Sequence, residues 1–238
     1  MSVQLLRGTI TNLRTTRQSA SFLFTDDDKT SMGVIAIAAA MAGLGPQAVA
    51  AAAATTSMEE EADYLEFELD GKAVRGWVWR SPFSEGDYVE AVVERTSGYN
   101  AYAIARPVDR VIALYPHCSR GSRAHWKNAI KWWLIGVTGL VLLGGMIDSL
   151  ASVFSGDDLQ IKEFALYILP WLALSFYSFF GLMTYSMVKK WMPFVQLAEK
   201  CFTTLGWENP SQIDLVKRTK QQRKKTDPGT LGVMYFRY

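Results

Sequence analysis

Two stretches of the chain are almost free of charge, and they set its plan. Trp132 to Phe154, WWLIGVTGLVLLGGMIDSLASVF, holds one ionisable side chain, Asp148, and Phe164 to Val188, FALYILPWLALSFYSFFGLMTYSMV, holds none. At about 1.5 Å of rise per helical residue each stretch covers the roughly 30 Å of a hydrocarbon core. The pattern therefore predicts two transmembrane helices, 132–154 and 164–188. Upstream the period changes from helix to strand. DYLEFELDG puts Leu65, Phe67 and Leu69 on one face and Glu66, Glu68 and Asp70 on the other, and Asp70-Gly71 is a hairpin signal ahead of KAVRGWVWR. SPFSEGDYVEAVVE and GYNAYAIARPVDRVIALY continue with valine-rich and alternating runs broken at Pro107, and QLLRGTITNL and SASFLFT precede them. About six short strands make a small barrel of OB-like or SH3-like kind. The class predicted is an α+β membrane protein. A β-barrel-like domain spans 1–116 and a basic juxtamembrane segment 117–131, followed by the two spans and a tail, 189–238, with an amphipathic helix and a basic run.

One segment of the barrel domain reads as neither strand nor span. Ser31 to Met58 is uncharged and built mainly of alanine and other small residues, and Gly43, Gly45 and Pro46 break it near its middle. Each half is roughly 12 residues, about 18 Å if helical, and is too short to cross a bilayer. An Ala/Gly-rich helical hairpin inserted between strands is predicted over 31–58, flanked by Asp26, Asp27 and Asp28 and by Glu59, Glu60 and Glu61. It brings little apolar area per residue, so it suits packing on itself, or on the spans, or passage between water and membrane.

Charge gives the orientation. The totals, 25 Lys+Arg against 23 Asp+Glu, leave no general affinity for nucleic acid. Arg120, Arg123, Lys127 and Lys131 precede the first span and Lys189 and Lys190 follow the second, whereas the connection SGDDLQIKE carries Asp157, Asp158 and Glu163 against Lys162. The positive-inside bias predicts both termini in the cytoplasm of a bacterial inner membrane, with the short acidic loop periplasmic. No apolar h-region of a signal peptide stands in MSVQLLRGTITNLRTTRQ. Trp132, Trp133, Tyr167, Trp171, Tyr185 and Trp191 fall near the expected interfaces as anchors. Lys217, Arg218, Lys220, Arg223, Lys224 and Lys225 form a run in the tail suited to anionic headgroups, and the terminal GVMYFRY is apolar enough to return as a strand.

Inside the spans, Gly136, Gly139, Gly144, Gly145 and Ser149 allow close backbone approach, either between the two spans or to a second copy of the chain. Asp148, near the outer end of its span, marks a polar path or a carboxylate solvated at the interface. Pro170 sits in the first turns of the second span, where its missing N–H costs little. Phe194, Leu197, Ala198, Cys201, Phe202 and Leu205 share one face of the helix that runs off that span, until Gly206 and Pro210 end it. Trp77, Trp79, Phe83 and Tyr99 are candidates for a partner-binding surface, with barrel core as the alternative.

No catalytic, cofactor or metal constellation emerges. Cys118 and Cys201 are read as free thiols of a reducing compartment. His117 and His125 flank Cys118 without a third orienting group, and there is no glycine-rich phosphate loop, HExxH or paired-carboxylate motif.

With ARPVDRVIALYPHCSRGSRAH and LGWENPSQIDL as its most distinctive stretches, and in the order of its elements, the chain resembles bacterial two-span membrane proteins grouped with type VI secretion system effectors. The resemblance covers nearly the whole chain and carries no catalytic residues. It implies a role in interbacterial antagonism, with a cognate immunity, effector or chaperone protein as partner. Two functions follow. The first is a membrane-targeting effector whose hairpin and glycine-lined spans insert, assemble into a homo-oligomer and dissipate ion gradients; the resemblance puts it first. The alternative is a resident immunity, accessory or scaffold protein whose cytoplasmic β-domain binds a protein partner, and the positive-inside flanks are what its biosynthesis would leave.

Overall fold

β1 (Val3–Ala20) is long enough to serve two neighbours. Its first half pairs antiparallel with β4 (Tyr88–Arg95), Val3 opposite Glu94 and Thr9 opposite Tyr88. Its second half pairs with β2 (Glu60–Leu69), Ile10 opposite Leu69 and Ala20 opposite Glu60. Between Thr11 and Arg14 the register shifts, and Asn12 stands at a φ of 53°. A bulge at that point adds the bend and twist that let one strand pass from one partner to the other. The computed structural model describes residues 3–20, 60–95, 98–155 and 164–238. The predicted Ala/Gly-rich hairpin with Gly43, Gly45 and Pro46, and the acidic connection between the spans, lie outside the described residues.

β2 turns into β3 (Lys72–Val78) through Asp70 and Gly71, at φ 48° and 75°, the double left-handed turn expected of that dipeptide. β4 pairs with β5 (Tyr99–Arg106), and β5 runs parallel to β3, with Gly76 opposite Ala101. The pairing order β1-β2-β3-β5-β4-β1 closes a five-stranded, OB-like barrel. Closure depends on Gly76, where any Cβ would run into the carbonyl oxygen of Ala101. Leu65, Phe67 and Leu69 fill the barrel with Ile10, Val74, Val89 and Ile104, as the alternation along β2 requires.

The sheet continues past the barrel into β6 (Val111–Leu114) and β7 (Phe236–Arg237). Here both faces are covered, so Val92, Ala103, Ala105, Ile112 and Leu114 are apolar where simple alternation would place polar residues. Their cover comes from the helices. α1 (Ser122–Ser155) and α2 (Leu169–Thr204) form an antiparallel hairpin, with a π-helical turn, Phe164–Ile168, leading into α2. α2 passes through Pro193 without ending. Beyond it, Ala198, Cys201 and Phe202 are fully buried against the outer side of the sheet. A 3-10 turn at Pro210–Gln212 and α3 (Leu215–Gln222) complete that second core with Ile213 and Leu215. The tail therefore shares a hydrophobic core with the barrel instead of forming a separate unit.

The juxtamembrane residues from Ser122 to Lys131 are the opening turns of α1, which carries on unbroken into the apolar stretch. Both α1 and α2 are long and apolar enough to cross a membrane, and their apolar stretches have almost no protein cover. Leu142, Met146, Ile147, Leu166 and Leu182 are all more than half exposed. An uncovered apolar surface of that length is what a lipid environment explains.

Candidate functional site at the barrel-membrane junction

The chain leaves β6 and enters α1 through Tyr115–Gly121, a segment fixed from three sides. Gly121 N–H donates to Ile213 O at 2.9 Å and Leu215 N–H to Ser119 O at 3.1 Å. Arg120 Nε donates to Asp214 Oδ2 at 3.1 Å. Gly121 has no room for a side chain, because its Cβ would collide with the carbonyl oxygen of Pro210. The first turn of α1 is capped by a neighbour rather than by its own N-cap: Ser122 N–H and Oγ both donate to Glu199 Oε1 of α2, at 2.7 and 2.6 Å. A carboxylate at a helix N-terminus satisfies orphan donors and meets the positive end of the helix dipole.

His117 stands at the centre of this junction, at a φ of 68°. Its Nε2 lies 2.8 Å from Glu60 Oε2 at the start of β2. Its ring meets Trp79, Trp191 and Phe194 edge-on, at centroid distances of 5.0, 4.6 and 5.4 Å. One side chain thus ties the barrel, the linker and the barrel-proximal part of α2 together. Beside it lies a cavity of about 290 Å³ bounded by Trp79, His117, Cys118, Arg120, His125 and Trp191.

The two histidines that flank Cys118 in sequence do not make it a nucleophile in this arrangement. Cys118 is fully buried, and burial, with Cys201 nearby, pushes its thiol well above the ordinary range. A thiol that stays protonated is no nucleophile. His117 is engaged with Glu60, while the buried Nε2 of His125 has no hydrogen-bond partner among the described residues. Among those residues no cluster of ligands suits a metal ion.

Other expected site residues are distributed as follows. Phe83 is in the barrel core, so it drops out of the proposed partner surface: it packs inside the closed sheet, under the Arg106 guanidinium at 5.7 Å. Trp79 is half-buried against His117. Trp77 is half-buried beside Tyr64 at 4.9 Å, and Tyr99, half-buried under Lys72, packs against the barrel core rather than on a partner surface. The small residues of the first span do not form the seam between the spans. A Cβ on Gly136, Gly139 or Gly144 would meet open space, and one on Gly145 would only touch Leu169 at 4.0 Å. Ser149 Oγ donates to Gly145 O at 2.8 Å within its own helix. Bulky side chains make the contact instead: Trp133 lies over Gly181, 3.3 Å from where a Cβ would stand, and Thr138 and Tyr177 share a 2.7 Å hydrogen bond. An indole needs a glycine opposite it, and that glycine belongs to the second span. Asp148 is half-buried near the far end of α1.

The cations also separate. Arg120 is paired with Asp214, and Lys189 lies 4.8 Å from the Tyr185 ring centroid. Lys190 follows it on α2. Arg123, Lys127 and Lys131 recur at intervals of four along α1. Lys217, Arg218 and Lys220 are part of α3, whose Leu215 and Thr219 are buried, so the basic run is folded onto the body of the protein. Arg223, Lys224 and Lys225 follow in a turn that Asp227 holds by accepting from Lys224 N–H at 2.7 Å. Sequence reasoning missed Glu60, Trp191 and Glu199 as junction residues. Glu199 had no local signal, because the helix it caps begins 77 residues earlier. Compared with family models, curated proteins and solved structures, the chain matches none.

Proposed function

We propose that the chain is an integral membrane protein of the bacterial inner membrane. Its two-helix anchor carries a cytoplasmic OB-like module that binds a protein partner and belongs to type VI secretion as a resident immunity or accessory component. The observation that carries this reading is the second core. Phe202, Cys201 and Ala198 of α2 are buried with Ile112 and Leu114 of the barrel sheet and with Ile213 and Leu215 of the tail. Such a core makes module and anchor one cooperative unit, which suits a protein that inserts once, during its own synthesis. The cations at the barrel end of both helices support a cytoplasmic barrel and a periplasmic connection. Trp77 and Tyr64, half-buried with ring centroids 4.9 Å apart, supply the aromatic surface on which a partner would dock.

A second reading, the depolarising effector, is favoured by one observation: Gly136, Gly139 and Gly144 leave a strip of α1 where the backbone of another copy could come close. Induction of the full chain in a bacterium, with membrane potential and growth recorded, separates the two. The resident reading predicts accumulation in the membrane with potential and growth unchanged, and a partner recovered with the wild-type barrel but not with Trp77→Ala. Rapid depolarisation on induction would overturn it in favour of the effector.

A further inference from the structure

Arg123, Lys127 and Lys131 are spaced at i, i+4 and i+8 on α1, so they share one face and climb about 12 Å along the axis. Lys217 of α3 faces them across a groove of about 300 Å³ that Asn128, Gln212 and Asp214 also line. Among the described residues none of the four cations is in an ion pair. The single carboxylate is already committed: Asp214 Oδ1 accepts from Lys217 N–H at 2.9 Å, and Oδ2 accepts from Arg120 Nε at 3.1 Å. Four cations are thus left to face a groove whose acid Arg120 has neutralised.

The groove's position decides the ligand. Its top rung, Lys131, is followed at once by Trp132, which is 61% exposed and has the ammonium 5.8 Å from its ring centroid. Beyond Trp132 the helix surface is apolar and open at Leu134, Ile135 and Leu142. A ligand seated on the cations can run apolar chains directly along that surface, and a soluble anion has no use for it. The cations set the charge. One phosphodiester brings a single negative charge to four cations that are in no ion pair among the described residues, and a headgroup with two linked phosphates matches them better.

We propose that this groove is a binding site for a phospholipid whose headgroup carries two phosphates, held by Arg123, Lys127, Lys131 and Lys217. The inference rests on the membrane reading above, and the test keeps the two apart. Full-length protein is reconstituted in bilayer discs of zwitterionic lipid containing cardiolipin, or phosphatidylglycerol at equal charge, and binding is read by displacement of a fluorescent cardiolipin. Each Lys or Arg near a membrane surface contributes about fivefold. The triple variant Arg123→Gln, Lys127→Gln, Lys131→Gln is expected to lose on the order of a hundredfold of cardiolipin affinity, and Lys217→Gln several-fold. Lys224→Gln with Lys225→Gln, outside the groove, should change nothing. Equal displacement by phosphatidylglycerol, or by inorganic pyrophosphate, or an unchanged affinity in the triple variant, would overturn the site. Failure of the wild-type chain to stay with the discs would instead remove the membrane reading itself.

Discussion

Single residues close this structure at points where substitution has little room. Gly76 lets β3 come against β5, and a methyl group there would meet the Ala101 carbonyl. Gly76→Ala is therefore expected to lower the unfolding midpoint sharply, by the several degrees that correspond to about 2 kcal/mol or more, while Gly229→Ala, in open space, leaves it unchanged. Tyr102 offers a pH-dependent case. Its hydroxyl donates to Glu94 Oε2 at 2.8 Å, and burial, then that hydrogen bond, push the phenol up to about 12. The folded state holds the proton more tightly than the unfolded state, whose phenol ionises near 10. The contribution is complete below about pH 10 and is lost as pH rises from there through about 12. Burial pushes Tyr115 and Tyr238 up as well, so absorbance titration should find several tyrosines ionising late, and Tyr102→Phe should remove one equivalent from that late phase. The variant should also cost about 1–3 kcal/mol, because the nearly buried Glu94 loses this donor.

At the scale of elements, parts distant in sequence pack into one shared core. Phe202 is fully buried and stacks on Trp207 at 5.3 Å, in the core shared by α2, the tail and the sheet. Phe202→Ala is expected to cost about 3–5 kcal/mol, and hydrogen exchange should accelerate in α3 and β7 before the barrel strands. Removing the shared cap by Glu199→Ala should cost about 1 kcal/mol and fray the first turn of α1, visible as faster exchange at Ser122–His125. The elements differ in how plainly the sequence announced them. The β2–β3 hairpin was legible because Leu65, Phe67 and Leu69 alternate up to Asp70-Gly71. The two long apolar helices were legible from length and composition. β1 was not read whole: beyond Ile10 its TNLRTTRQ run has Leu13 as its one apolar residue, and only the change of partner from β4 to β2 makes it one strand. The apolar face from Phe194 to Leu205 was visible, but nothing local identified the outer side of β5 and β6 as what it covers.

The whole molecule is a barrel fixed to the end of a helical hairpin through a junction of aromatic rings around His117 and a capped helix start at Ser122. That arrangement puts barrel, tail and cations at one end and leaves the apolar faces of α1 and α2 bare at the other. Little of the junction was readable beforehand, since Glu60 reaches His117, and Glu199 reaches Ser122, only after the sheet, the linker and α2 have come together. The most direct test of this account is the sidedness of the barrel. Val108 is 90% exposed on the barrel side, while Cys118 and Cys201 are buried, so a Val108→Cys variant carries one accessible thiol against a silent background. An impermeant maleimide should leave this variant unlabelled in intact spheroplasts and label it fully after permeabilisation, with the protein resisting extraction by alkaline carbonate. Labelling in intact spheroplasts, or release by carbonate, would contradict a barrel held on the cytoplasmic side by two membrane-spanning helices.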